Sequence, residues 1–111
     1  MTQNVSILTL SLAVTAAITA ERFVDLSGAP ATAAGNAVGV ARSDGAIGAL
    51  VPVDVLGTAV VTAGAAIAAG AAIEVGATGK AVTKAAGIAV ARALQAAAAD
   101  GERIEVMLIP N

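Results

Sequence analysis

The chain has no cysteine, histidine, tryptophan or tyrosine, and its one aromatic residue in 111 is Phe23. These absences exclude thiolate and imidazole metal sites, cysteine nucleophiles, histidine-dependent serine hydrolysis, a disulfide framework and aromatic platforms for nucleic-acid bases. Charge is scarce as well, at 13% of residues, with six Lys and Arg against eight Asp and Glu, a net charge of −2. The basic residues, Arg22, Arg42, Lys80, Lys84, Arg92 and Arg103, are scattered, so no nucleic-acid partner is expected.

What the chain does contain is small. Ala, Val and Gly supply 31, 14 and 12 residues, so the 58% hydrophobic content is nearly half alanine. A chain of this size buries roughly 64% of its unfolded surface, and each Å² of apolar burial contributes about 25 cal/mol. An alanine-rich core gains little per residue on that scale. One domain spanning 1–111 is expected, with stability completed by copies of itself or by a large neighbour.

An uncharged run at 55–73 has the length of a membrane span. It carries Gly57, Gly64, Gly70, Thr58 and Thr62, is otherwise mostly alanine, and has no aromatic belt, so no membrane association is expected. The apolar stretch Ile7 to Ile18 follows Met1-Thr2-Gln3-Asn4, which lacks the Lys or Arg of a secretory signal. Absence of cysteine fits a reducing cytosol.

Turn signals recur at Gly28-Ala29-Pro30, Gly35-Asn36, Asp44-Gly45, Gly57-Thr58, Gly76 to Gly79 and Asp100-Gly101. Between them, β-branched and aliphatic residues alternate with period two, as in Val51, Val53, Val55 and Ile104, Val106, Leu108. The pattern predicts an all-β domain, a small β-sandwich or β-barrel-like fold. Strands are placed near 5–14, 22–26, 37–42, 49–56, 58–62, 71–75, 80–84, 87–92 and 103–109. At most one short helical turn is expected, near 93–99, where alanines give the best helix propensity in the chain.

The sequence also echoes itself. Val14-Thr15-Ala16 recurs as Val61-Thr62-Ala63, Ile18 as Ile67, and Val38-Gly39-Val40-Ala41-Arg42 as Ile88-Ala89-Val90-Ala91-Arg92. Gly48 to Val53 answers Gly101 to Val106. The reading is an internal pseudo-duplication, with repeats at about 14–57 and 58–110 and an N-terminal strand or arm at 1–13. Arg42 and Arg92 fall at equivalent strand ends in this alignment, within reach of carboxylates such as Asp44 and Asp100.

Little catalytic vocabulary remains. The eight carboxylates mostly adjoin turns or alternate outward, where solvation explains them better than acid–base pairing. Gly76-Ala77-Thr78-Gly79-Lys80 lacks the first glycine of a phosphate-binding loop and has Ala81 where a hydroxyl should follow, so it reads as a hairpin turn. No enzyme activity, cofactor or metal site is expected.

The segments "Ile-Ala-Ala-Gly" (67–70), "Gly-Lys-Ala-Val" (79–82), "Gly-Ile-Ala-Val-Ala-Arg-Ala-Leu" (87–94) and "Asp-Gly-Glu-Arg-Ile-Glu-Val-Met-Leu" (100–108) resemble the capsid cement, or head decoration, family of tailed bacteriophages. "Ala-Val-Gly-Val-Ala-Arg" (37–42) and "Gly-Ala-Leu-Val-Pro-Val" (48–53) are similar to the family's central segment. The resemblance covers about residues 14–109. It implies a non-enzymatic virion structural protein that binds the outer surface of an expanded head and bridges capsomers. Its partners would be the major capsid protein and itself, as a homotrimer, assembled in the bacterial cytoplasm. The competing reading is a β-rich assembly module of a tail or baseplate, or a secreted adhesion module.

The first dozen residues match that family less well and carry the candidate interface. Leu8, Leu10 and Leu12 share one face of the first strand, with Val5 and Ile7 on the other. Such a strand is either buried within a sandwich or an edge that meets the capsid or another subunit by strand addition. Phe23 is expected in the core.

Overall fold

The computed structural model describes residues 3–110. Alternating aliphatics form eight strands: β1 (Ser6–Ala13), β2 (Phe23–Val24), β3 (Gly39–Ala41), β4 (Leu50–Thr62), β5 (Ala72–Val75), β6 (Ala81–Thr83), β7 (Ala91–Ala93) and β8 (Arg103–Leu108). The sheet order is β2-β3-β4-β8-β7-β5-β6, with β1 added alongside β4. A parallel bridge from Ala63 to Ala81 draws the end of β4 to β6, and the sheet curls into a nearly closed barrel. The fold is all-β, as the alternation predicts.

Gly57 marks a departure from the sequence reading. A turn is expected there, yet β4 runs unbroken from Leu50 to Thr62, with Gly57 at φ +97°. Its first half pairs with β1 and β3 and its second half with β8, so ladder bonds on both stretches hold the strand through the turn signal. A Cβ at position 57 would lie 2.3 Å from the Val5 carbonyl oxygen, so both the conformation and the space require glycine.

The alanine run at 93–99 is not helical; the one short helical turn among the described residues is Ala77–Gly79, inside the β5–β6 hairpin. Seven residues are too few to nucleate a helix against competing partners. Those partners are present: Ala93 N–H donates to Ala71 O at 2.9 Å, Leu94 N–H to Glu105 O at 3.0 Å, and Ala97 exchanges two bonds with Ile67. The expected strand at 87–92 is likewise displaced, and β7 forms at Ala91–Ala93. The uncharged run 55–73 divides among β4, the loop after it and the start of β5. Among the described residues no helix is long and apolar enough to cross a membrane.

One hydrogen-bond scheme is used twice. Ile18 and Gly45 exchange bonds as Ile67 and Ala97 do; Glu21 N–H donates to Ala41 O as Gly70 N–H does to Ala93 O. Val38 N–H donates to Val24 O as Val90 N–H does to Ile73 O, and Gly48 N–H to Val14 O as Gly101 N–H to Ala63 O. The partners stand 49 residues apart at Val14 and Ala63, 52 at Val38 and Val90, and 53 at Gly48 and Gly101. β1 therefore corresponds to the second half of β4, and the first half of β4 to β8. The sequence alignment is out by two residues at two places: Val14 matches Ala63, not Val61, and Arg42 matches Leu94, not Arg92.

Each half has its own core. Val14, Ile18, Val24, Ala41, Val51 and Val53 pack in the first, and their counterparts Ala63, Ile67, Ile73, Ala93, Ile104 and Val106 pack in the second. Phe23, Ala31 and Val40 of the first half join the second core, which ties the halves together. Phe23 is buried, as expected.

Candidate functional site

Three carboxylates that composition would leave in solvent are buried: Asp54, Glu74 and Glu105. Each is held by structural partners. Asp54 accepts from the Thr9 hydroxyl at 2.7 Å and meets Arg42 Nε at 3.3 Å, tying β1, β4 and the end of β3 together. Glu74 accepts the N–H groups of Ala85 and Gly87 at 2.5 and 3.1 Å, and these bonds hold its carboxyl below the ordinary value of 4.5, aided by nearby Lys84 and opposed by burial. Glu105 accepts the Gln3 N–H at 3.3 Å.

The remaining ion pairs differ from those the sequence suggests. Asp100 pairs with Lys80 at 3.0 Å and Arg103 with Glu21 at 3.0 Å, while Asp44 accepts the Ala20 N–H at 2.7 Å. Arg42 and Arg92 are not equivalent: Arg42 N–H donates to Pro52 O as Leu94 N–H does to Glu105 O, so the counterpart of Arg42 is Leu94. A hollow of about 150 Å³ touches Glu21, Arg42 and Asp54, all three already paired. Among the described residues no group of three or more acidic side chains could hold a metal ion.

The apolar candidates are arranged differently. β1 pairs with β4 on one side and, among the described residues, has no strand on the other. Leu10 and Leu12 stand opposite Val53 and Val51, so Leu12 packs on the first core, while Leu10 remains partly exposed. Ile7 is 72% and Leu8 46% exposed, and Val5 just before the strand is also exposed. Val5 is fixed by its own backbone: its N–H donates to Thr58 Oγ1 and its carbonyl accepts the Thr58 N–H, both at 2.9 Å. Of the five candidate residues, the structure thus brings Val5, Ile7, Leu8 and Leu10 to the surface of one free edge and turns Leu12 inward. Leu8 also opens onto an apolar groove of about 300 Å³ formed with Val38, Val55, Leu56 and Ile109.

Sequence reasoning missed a second exposed set, Leu26, Ile47 and Leu50. Their signal was the repeat itself. Ile47 and Leu50 fall on Asp100 and Arg103, an aliphatic-for-charge exchange at a turn residue and at the first residue of a strand.

A small all-β domain with paired carboxylates, a split core and a free apolar edge has the build of a structural assembly protein. The sequence matches the phage cement protein family over residues 2–108, and the chain belongs to that family. It is a structural protein of the phage capsid. Among solved structures it is similar to the N base of the head fiber protein gp8.5 of bacteriophage phi29, with 20% identity, TM-score 0.75, and coverage of 92% of this chain and 93% of that one. That likeness shows the shared fold. Comparison with curated proteins found no match.

Proposed function

We propose that the chain is one decoration-type domain, residues 1–111, that attaches to the outer surface of an expanded phage head and stabilises it by bridging capsomers, without enzymatic activity. The observation that carries this reading is the free edge of β1. An eight-residue edge strand with exposed aliphatics is a surface that solution proteins normally blunt with charge or proline, and β1 has neither. Copies of the chain pair through Val5, Ile7, Leu8 and Leu10 and the adjoining groove, closing a homotrimer over the major capsid protein. Cementing then works by multivalency, since several weak contacts held in one oligomer act as a strong one. Assembly on the shell takes place in the host cytoplasm.

The test is co-sedimentation of the purified protein with expanded, undecorated heads and with unexpanded proheads. Saturable binding to expanded heads, with raised resistance of the shell to heat, is the expected result. Absence of binding to both sends the search for a partner to tail or baseplate proteins. Removal of residues 1–8 should abolish the oligomer and reduce occupancy; full occupancy by the truncated chain would remove β1 from the interface.

A further inference from the structure

The two halves of the barrel act as controls for one another, because the same backbone positions carry different side chains. In the second half, Val75 is fully buried by the β5–β6 hairpin, and Asp100 and Arg103 are charged and paired with Lys80 and Glu21. The corresponding residues of the first half are Leu26, Ile47 and Leu50, exposed at 76%, 74% and 71%. One end of the molecule is thus finished for solvent, and the matching end is left apolar.

The three aliphatics lie at one end of the first half. Thr15 N–H donates to Gly28 O at 3.0 Å and its hydroxyl to Ser27 O at 3.2 Å, which places the Leu26 turn beside residues 13–15. On the other side of the same segment, Gly48 N–H donates to Val14 O at 2.9 Å, and Ala13 pairs with Leu50. No ion pair involves this end among the described residues; the three that form lie at Arg42, Lys80 and Arg103.

We propose that the Leu26, Ile47 and Leu50 end is the surface that docks on the capsid shell, against an uncharged apolar patch of the shell protein. The inference rests on the cement reading above and specifies which face meets the shell. Size selects the occupant. Three aliphatic side chains offer roughly 300 Å² of apolar surface, under half of the ~800 Å² per partner that a stable two-body interface buries. The patch is too small to hold a second copy on its own, whereas the β1 edge with its groove is the larger surface. A contact of this size suffices when an oligomer presents several copies at once to a repeating surface, and a shell is such a surface.

The test exchanges the residues for those the second half already uses: Ile47→Asp with Leu50→Arg in the full-length chain, with Leu26→Ser as a separate variant at an exposed turn. Three readouts are taken: melting temperature, oligomeric state by sedimentation velocity, and binding to expanded heads. The expected result is an unchanged melting temperature and oligomer with head binding weakened by at least about tenfold. Unchanged head binding in both variants overturns the proposal. Loss of the oligomer overturns it too, since the patch would then be the contact between copies. Should the double variant melt early, Leu26→Ser decides by the same criteria. Wild-type protein in the same experiment separates the two levels: if it does not bind heads, the cement reading itself fails; if it binds and the variants bind equally, only this assignment fails.

Discussion

Arg42 Nε meets Asp54 Oδ2 at 3.3 Å, and the equivalent positions in the second half hold Leu94 and Met107. An ion pair between a buried Asp54 and a half-exposed Arg42 in one copy, and two apolar residues in the other, thus occupy the same place in one scheme. The polar version also binds the Thr9 hydroxyl, which fastens β1 to the sheet. In the second half the residue matching Thr9 is Thr58, inside continuous β4, where the chain itself holds the strand.

This pair predicts a non-additive cycle. Arg42→Leu leaves the buried Asp54 carboxylate with Thr9 as its one side-chain partner and should cost about 2 kcal/mol. Arg42→Leu with Asp54→Met, copying the second half, should cost less than the sum of the single changes by about 1 kcal/mol or more. Urea unfolding of the four proteins measures both values.

Gly57 and Gly48 separate backbone strain from crowding. Both have positive φ, at +97° and +87°, but a Cβ at Gly48 would meet nothing within 4 Å, whereas at Gly57 it would strike the Val5 carbonyl. Gly48→Ala should cost about 1–2 kcal/mol from conformation alone. Gly57→Ala should cost more and should loosen the Val5–Thr58 pairing, read as faster amide exchange at Thr58.

Glu74 predicts an acid limb in stability. Its carboxyl titrates below the ordinary 4.5 because the Ala85 and Gly87 N–H groups hold the charged form. The unfolded chain therefore takes up this proton first. The contribution is fully present above about pH 4.5 and is lost as pH falls through the lowered folded value. Glu74→Gln should flatten that part of the profile, measured as melting temperature against pH, and leave neutral-pH oligomerisation unchanged.

Ile7 tests the edge strand. As a largely exposed residue, its change to Lys should shift stability by no more than about 0.5 kcal/mol. Self-association should fall markedly, because charge on a free edge opposes strand addition. Sedimentation velocity across a concentration series checks this, and unchanged association would exclude the β1 edge as the contact between copies.

Strand positions were legible because period-two alternation reports directly which side chains can face a core. Val51, Val53, Ile104 and Val106 all lie where that pattern predicts. The alternation of Leu8, Leu10 and Leu12 marked a strand, but could not distinguish an edge from a buried position. That depends on what lies beside β1, and its neighbour β4 begins some forty residues downstream. The repeat already set Leu50 against Arg103, but that Leu26, Ile47 and Leu50 stay exposed depends on what the rest of the chain leaves uncovered at that end, which no local pattern reports.

By itself the sequence determined the class of structure and part of the chemistry: alternation with frequent turns makes sheet, and without histidine or cysteine no imidazole or thiolate site can be built. It also carried the duplication, since matching residues at near-constant spacing survive any fold. The tertiary structure alone decided that Gly57 continues a strand, that 93–99 is not helix, and that Arg42 faces Asp54 rather than matching Arg92. Each of these turns on the same physical fact. A local propensity is worth a few tenths to about 1 kcal/mol per residue, and hydrogen bonds to strands far away in sequence outweigh it.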